Sequence, residues 1–175
     1  MADIYTKLAR DSIENYLKTG KKINIALNLP ENFLKKKAGV FVSLHKKDDH
    51  SLRGCIGTFV PTKKNIAQEI INNALSAAFY DPRFLPVELD ELENLEISVD
   101  VLSKPEEIKS KNDLDPEKFG IIVSGKSGHQ GLLLPDIKGI DTVEQQIKIA
   151  CQKAGLDPQK DKFSLKRFIV ERHRE

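Results

Sequence analysis

Hydrophobic positions along this chain follow two periods, and the switches between them outline its elements. Over residues 4–19, Ile4, Leu8, Ile13, Tyr16 and Leu17 share one helical face, and Gly20 stops the run. A loop containing Leu29-Pro30 follows. Residues 39–44 are short and β-branched, which predicts a strand. After a polar turn over 46–50, residues 52–59 return as a second strand, so the pair reads as a hairpin. Asn65 is placed to cap a helix running to about Phe79, with Ile66, Ile70, Ile71, Ala74, Leu75 and Ala78 on its apolar face. Asp81-Pro82 ends that helix, because the residue before proline is driven out of the helical region.

Residues 95–101 alternate strictly, predicting a strand with one buried and one polar face, and Lys104-Pro105 terminates it. A second hairpin is expected from 119–123 and 131–134 around a glycine-rich turn at 125–128. Thr142 followed by Gln145 is a capping box for a helix bearing Val143, Ile147, Ala150, Cys151 and Ala154, closed by Gly155. A last strand is expected over 164–172. Two hairpins and an alternating strand favour antiparallel pairing, so the fold class is α+β, an antiparallel sheet flanked by helices. The Pro- and Lys-rich span 104–116 is the candidate boundary between two lobes of one 175-residue domain.

Composition narrows the function classes. Apolar residues make up 39 % of the chain and charged residues 31 %, ordinary for a folded domain. A net charge of +2 and short, scattered lysine runs give no electrostatic case for nucleic acid. No apolar stretch approaches the roughly 20 residues that span a bilayer. The start, Met1-Ala2-Asp3, has no basic segment leading into an apolar one, so a signal peptide is not expected. Cys55 and Cys151 lie far apart, which predicts reduced thiols and a cytoplasmic protein. No zinc-type spacing is present, so neither metal nor cofactor is expected.

Candidate chemistry gathers at Leu52-Arg53-Gly54-Cys55-Ile56-Gly57. Alternation puts Leu52, Gly54 and Ile56 on one strand face, and Arg53, Cys55 and Gly57 on the other. Glycines inside a strand point to a bulge or to close approach by a ligand or another backbone. A thiol sharing a face with a guanidinium has a neighbour that favours the reactive thiolate. A small packed cysteine is the competing reading. His45 and His50 flank the hairpin as candidate bases, though spacing alone does not bring either to Cys55.

In 81–86 two prolines fix a loop that could aim Asp81 or Arg83 at a carboxylate or phosphate, or let the two hold the loop together. Glu96, Ser98 and Asp100 share a strand face, and Glu96 becomes a candidate acid or base if that face lines a cleft. The turn ending in His129 lacks the rest of a phosphate-binding loop, leaving His129 exposed and idle. Cys151 reads as core.

With those residues in view, the chain resembles the AMMECR-type domain family, called AmmeMemoRadiSam system protein A in bacteria and archaea. The run from Leu52 to Gly57 matches the family's hexapeptide. Ala77-Ala78-Phe79-Tyr80-Asp81-Pro82-Arg83-Phe84, Leu95-Glu96-Ile97-Ser98-Val99, Gly131-Leu132-Leu133-Leu134-Pro135 and Lys153-Ala154-Gly155-Leu156 match further landmarks in order. The resemblance implies an α+β fold of a larger and a smaller lobe, with the hexapeptide near the cleft between them. It also implies association with a Memo-like protein and a radical S-adenosylmethionine protein. Many members carry His-Gly where this chain has Phe119-Gly120, which puts any mechanism needing that histidine in doubt here.

Two functions then compete. In one, Cys55 is a nucleophile or redox thiol of a Cys-dependent enzyme, Arg53 clamps an anion, and Asp81, Arg83 or Glu96 complete the site. In the other, Arg53, Gly54 and Gly57 shape a groove for a peptide or partner protein, or the hairpin edge accepts a strand from it.

Overall fold

A computed structural model describes residues 3–24, 29–126 and 128–175. Met1 and Ala2, and Ser127 within the expected glycine-rich turn, lie outside the described residues. The chain divides into two compact units. One runs up to Val101 and takes in Glu171–Glu175, and the other is Leu102–Val170.

In the first unit, helix α1 (Ile4–Thr19) begins at Asp3, whose side chain accepts from the Tyr5 N–H, and ends at Gly20 with φ +68°. A single turn, α2 (Glu31–Lys35), follows Pro30 and buries Phe33. Strands β1 (Val40–Lys46) and β2 (Leu52–Thr58) form the expected hairpin. Helix α3 (Ile66–Phe79) is capped by Asn65, which accepts from the Gln68 N–H at 3.0 Å. Strand β3 (Leu95–Leu102) pairs antiparallel with β1. With β8 (Val170–Arg174) the sheet order is β2-β1-β3-β8.

One face of this sheet buries Val40, Val42, Leu44, Ile97, Val99 and Val101 with α1 and α3 in a continuous core. Buried Glu69 ties α3 to the segment before it. Its carboxylate accepts from the Thr58 and Thr62 hydroxyls and from the Thr62 and Lys63 N–H groups, at 2.7 to 2.9 Å. Burial alone pushes that carboxyl's pKa up, but these hydrogen bonds outweigh it and hold it below the ordinary value.

The second unit carries β4 (Glu106–Glu107), β5 (Gly120–Gly125), β6 (Gln130–Leu133), α4 (Val143–Lys153) and β7 (Phe163–Phe168), with sheet order β4-β7-β5-β6. Both halves of the Thr142–Gln145 capping box form. Helix α4 buries Ile147, Ala150 and Cys151 against Ile121, Val123 and Leu133.

The fold class is α+β, with two sheets built from antiparallel pairs. The C-terminal strand expected as one piece is two, β7 and β8, in different sheets. The break falls at Ile169, 56 % exposed, whose N–H and carbonyl are taken by the Ser103 hydroxyl and N–H, both at 2.9 Å. Neither proline nor glycine marks that break, so the sequence shows an unbroken strand.

Candidate functional site

β2 is the outer strand of its sheet, with one side paired to β1. The register runs Thr58 opposite Val40, Ile56 opposite Val42, Cys55 opposite Ser43 and Gly54 opposite Leu44, then shifts so that His45 faces Leu52. Arg53 is left without a partner, which is the signature of a bulge. That bulge breaks the strict alternation. Leu52 belongs with His45 rather than with Gly54, and Arg53 is turned out of the row that holds Cys55 and Gly57.

Arg53 is 9 % exposed, and each of its three guanidinium nitrogens is engaged. Nε and Nη2 donate to Glu91 at 2.9 and 3.0 Å, Nη1 donates to the Leu85 carbonyl at 2.9 Å, and Nη2 also reaches the Pro86 carbonyl at 3.4 Å. The pairing with Arg53 holds the Glu91 carboxyl below its ordinary pKa. Arg53 therefore fastens the loop after α3, with its charge already paired to Glu91. An outside anion at Arg53 would have to compete with Glu91, the counter-ion already paired to it. The two glycines are packing positions. A Cβ on Gly54 would lie 2.2 Å from the Ala77 carbonyl oxygen on α3, and one on Gly57 would lie 2.2 Å from the Phe41 ring.

Arg83 is the guanidinium that stands beside Cys55. Nε and Nη2 donate to Asp81 at 2.9 and 2.7 Å, and Nη2 also donates to the Cys55 carbonyl at 3.1 Å. Asp81 completes the clasp by accepting from the Cys55 N–H at 2.9 Å and the Arg83 N–H at 3.1 Å. Together the two side chains supply the acceptor and donor that a neighbouring strand would offer the Cys55 peptide. The Arg83 hydrogen bond is the largest cause holding the Asp81 carboxyl far below the carboxylate range, against the opposing effect of burial. Asp81 is thus a permanent anion and does not serve as a proton donor near neutrality.

The Cys55 side chain points to the sheet face opposite the core. It is half-buried, and the Ser43 hydroxyl donates to Sγ at 3.2 Å. Register continues this row to the half-buried Ser98 on β3. On the same face Asp100, opposite Phe41, pairs with Arg172 at 2.8 Å, while Glu96 lies 3.8 Å from the exposed His50. Among the described residues, neither histidine of the hairpin hydrogen-bonds the thiol. Cys151 is a core residue whose thiol is pushed up in pKa, chiefly by burial. His129 is exposed.

The structure thus brings Cys55, Asp81 and Arg83 together, sends Arg53 to the adjoining loop, and leaves Glu96 with His50 two register positions from Cys55. Sequence reasoning missed Ser43 and Glu91. Ser43 becomes visible once β1 and β2 are put in register, because it is the only hydroxyl on that part of β1. Glu91 carries no local signal and is found only from what Arg53 touches.

Comparison with known proteins gives the family and the fold. The model of the AMMECR1 family matches residues 6–173. The chain belongs to the AMMECR1 family. It is 51 % identical over 170 residues to a protein of Thermotoga maritima, covering 97 % of both chains. It is 48 % identical over 174 residues to protein CA_C1420 of Clostridium acetobutylicum, covering 99 % of this chain and 36 % of that longer one. The crystal structure of uncharacterized protein PH0010 from Pyrococcus horikoshii superposes with a TM-score of 0.88 at 36 % identity, covering 99 % of this chain and 91 % of that one. No helix among the described residues is long and apolar enough to cross a membrane.

Proposed function

We propose that this AMMECR1-family protein binds a small ligand on the polar face of its first sheet, with Cys55 as the reacting group in a reducing, cytoplasmic setting. The observation that carries this reading is the treatment of Cys55. Its peptide is clasped on both sides by Asp81 and Arg83, its sulfur takes a hydrogen bond from Ser43, and it stays partly open. Three polar side chains spent on fixing one half-buried cysteine are more than packing a small side chain needs.

Alkylation of the intact chain by iodoacetamide at neutral pH, mapped by mass spectrometry, tests this reading. Cys55 is expected to react faster than the same cysteine in the urea-unfolded chain. A native rate no faster than the unfolded one sinks the nucleophile. Cys55→Ser removes the signal, and buried Cys151 serves as the slow internal reference.

A second reading has its own observation. The rigid loop after α3 displays Tyr80, Leu85 and Leu89 at 66 %, 83 % and 50 % exposure, the kind of apolar side chains that anchor protein contacts. In that reading the protein is an adaptor for the Memo-like or radical S-adenosylmethionine protein that the family resemblance brings with it. Leu85→Asp then abolishes co-purification with that partner while Cys55→Ser preserves it. Unchanged binding by Leu85→Asp removes the adaptor role for this loop.

A further inference from the structure

We infer that the ligand taken beside Cys55 carries a carboxylate, held by the outer edge of the Arg83 guanidinium. The inference rests on the site proposed above and adds the chemistry that selects for it. Two arginines flank the segment, and the structure treats them oppositely. Arg53 is buried with all three nitrogens engaged. The Arg83 side chain is 55 % exposed while its counter-ion Asp81 is 1 % exposed, so the pair presents its cation outward. Nε and Nη2 are taken by Asp81 and the Cys55 carbonyl, whereas Nη1 has no hydrogen-bond partner among the described residues and offers two N–H donors.

The loop is fixed before any ligand arrives. Arg53 holds the carbonyls of Leu85 and Pro86, Glu91 accepts from the Glu88 N–H at 2.8 Å, and the Val87 N–H donates to the Ala78 carbonyl at 2.9 Å. A donor held this rigidly has little ordering left to lose on binding. Asp81 already balances most of the charge, so one open guanidinium edge suits a monoanionic carboxylate better than a phosphate dianion. Glu91 and Arg53 act on the site through the loop, as positioning residues.

The test compares iodoacetate with iodoacetamide on the intact chain. The two reagents share the reacting carbon and differ by a carboxylate. In either case the Cys55 S–C bond forms, the C–I bond breaks, iodide leaves and the thiol proton passes to solvent. Relative to the urea-unfolded chain, the iodoacetate-to-iodoacetamide rate ratio at native Cys55 should rise roughly two- to fivefold, the scale of a partly exposed charge contact. It should fall back in Arg83→Gln, survive in part in Arg83→Lys, and shrink in 1 M salt.

A native ratio equal to that of the unfolded chain, or one unchanged by Arg83→Gln, overturns the inference while leaving the thiol site standing. Inertness of Cys55 toward both reagents instead removes the thiol reading. The carboxylate is then read from the Arg83 Nε–H resonance on adding acetate. A saturable shift supports it, and no shift overturns it.

Discussion

At Gly54 a side chain would strike the Ala77 carbonyl at 2.2 Å, and that backbone atom belongs to a buried helix that cannot give way. Gly54→Ala is therefore expected to cost about 1–3 kcal/mol, the usual size of overpacking, seen as a lower urea midpoint at unchanged slope. Glycines within a strand announce close approach, and that much was legible in the sequence. What approaches was not, because Ala77 lies 23 positions away on another element. Arg53 is the instructive failure. Strict alternation pairs it with Cys55, but a single unpaired residue in β2 re-aims it, and Arg83 is the guanidinium that reaches the Cys55 carbonyl. Asp81→Asn should cost about 1–3 kcal/mol at neutral pH, since it weakens the acceptor for the Cys55 and Arg83 N–H groups and abolishes the ion pair. An unaltered urea midpoint for that variant contradicts the clasp.

The loop after α3 is the element that joins fold and site. Its two prolines were readable as rigidity, but its fastening depends on Arg53 reaching across from β2 to Leu85, Pro86 and Glu91. Lysine keeps the charge and loses the fork, so Arg53→Lys should behave as a non-conservative change. It should destabilise the chain by about 2 kcal/mol and slow native Cys55 alkylation, because the loop that positions Arg83 is loosened. A variant matching the parent in both readouts denies the loop its role. Periodic elements were the legible ones: α1, α3, α4 and β3 each carry a buried face and, for the helices, an N-terminal cap. The one-turn α2 and the split between β7 and β8 carry no periodic signal, since five residues are too few for a period and Ile169 suits a strand by itself.

Across the whole molecule, charge burial is unevenly shared between the two units. Among the described residues, Asp3, Glu69, Asp81 and Glu91 are buried or half-buried carboxylates held below their ordinary pKa, and all four lie in the first unit. In the second unit Asp115 alone among the described carboxylates is shifted down, chiefly by its hydrogen bond to exposed Lys118. A carboxyl depressed in the folded state stabilises fully above its unfolded pKa of about 4, and that contribution is lost as pH falls through the folded value. Acid should therefore weaken the first unit first.

All three tyrosines, Tyr5, Tyr16 and Tyr80, lie in that unit, and the chain has no tryptophan. Tyrosine emission followed from pH 7 to pH 2 should report the loss. The gap in stability between the parent and Glu69→Gln should narrow as the pH drops, and a gap constant with pH contradicts the assignment. None of this was visible in a net charge of +2, which counts charges without saying which are buried.

The central claim, that the clasped and partly open Cys55 is the reacting group, is tested most directly by its iodoacetamide alkylation rate at neutral pH. The measurement compares the native chain with the urea-unfolded chain and with native Asp81→Asn. The account predicts that native Cys55 reacts faster than the unfolded cysteine and that Asp81→Asn loses most of the excess. A native rate equal to or below the unfolded one contradicts it.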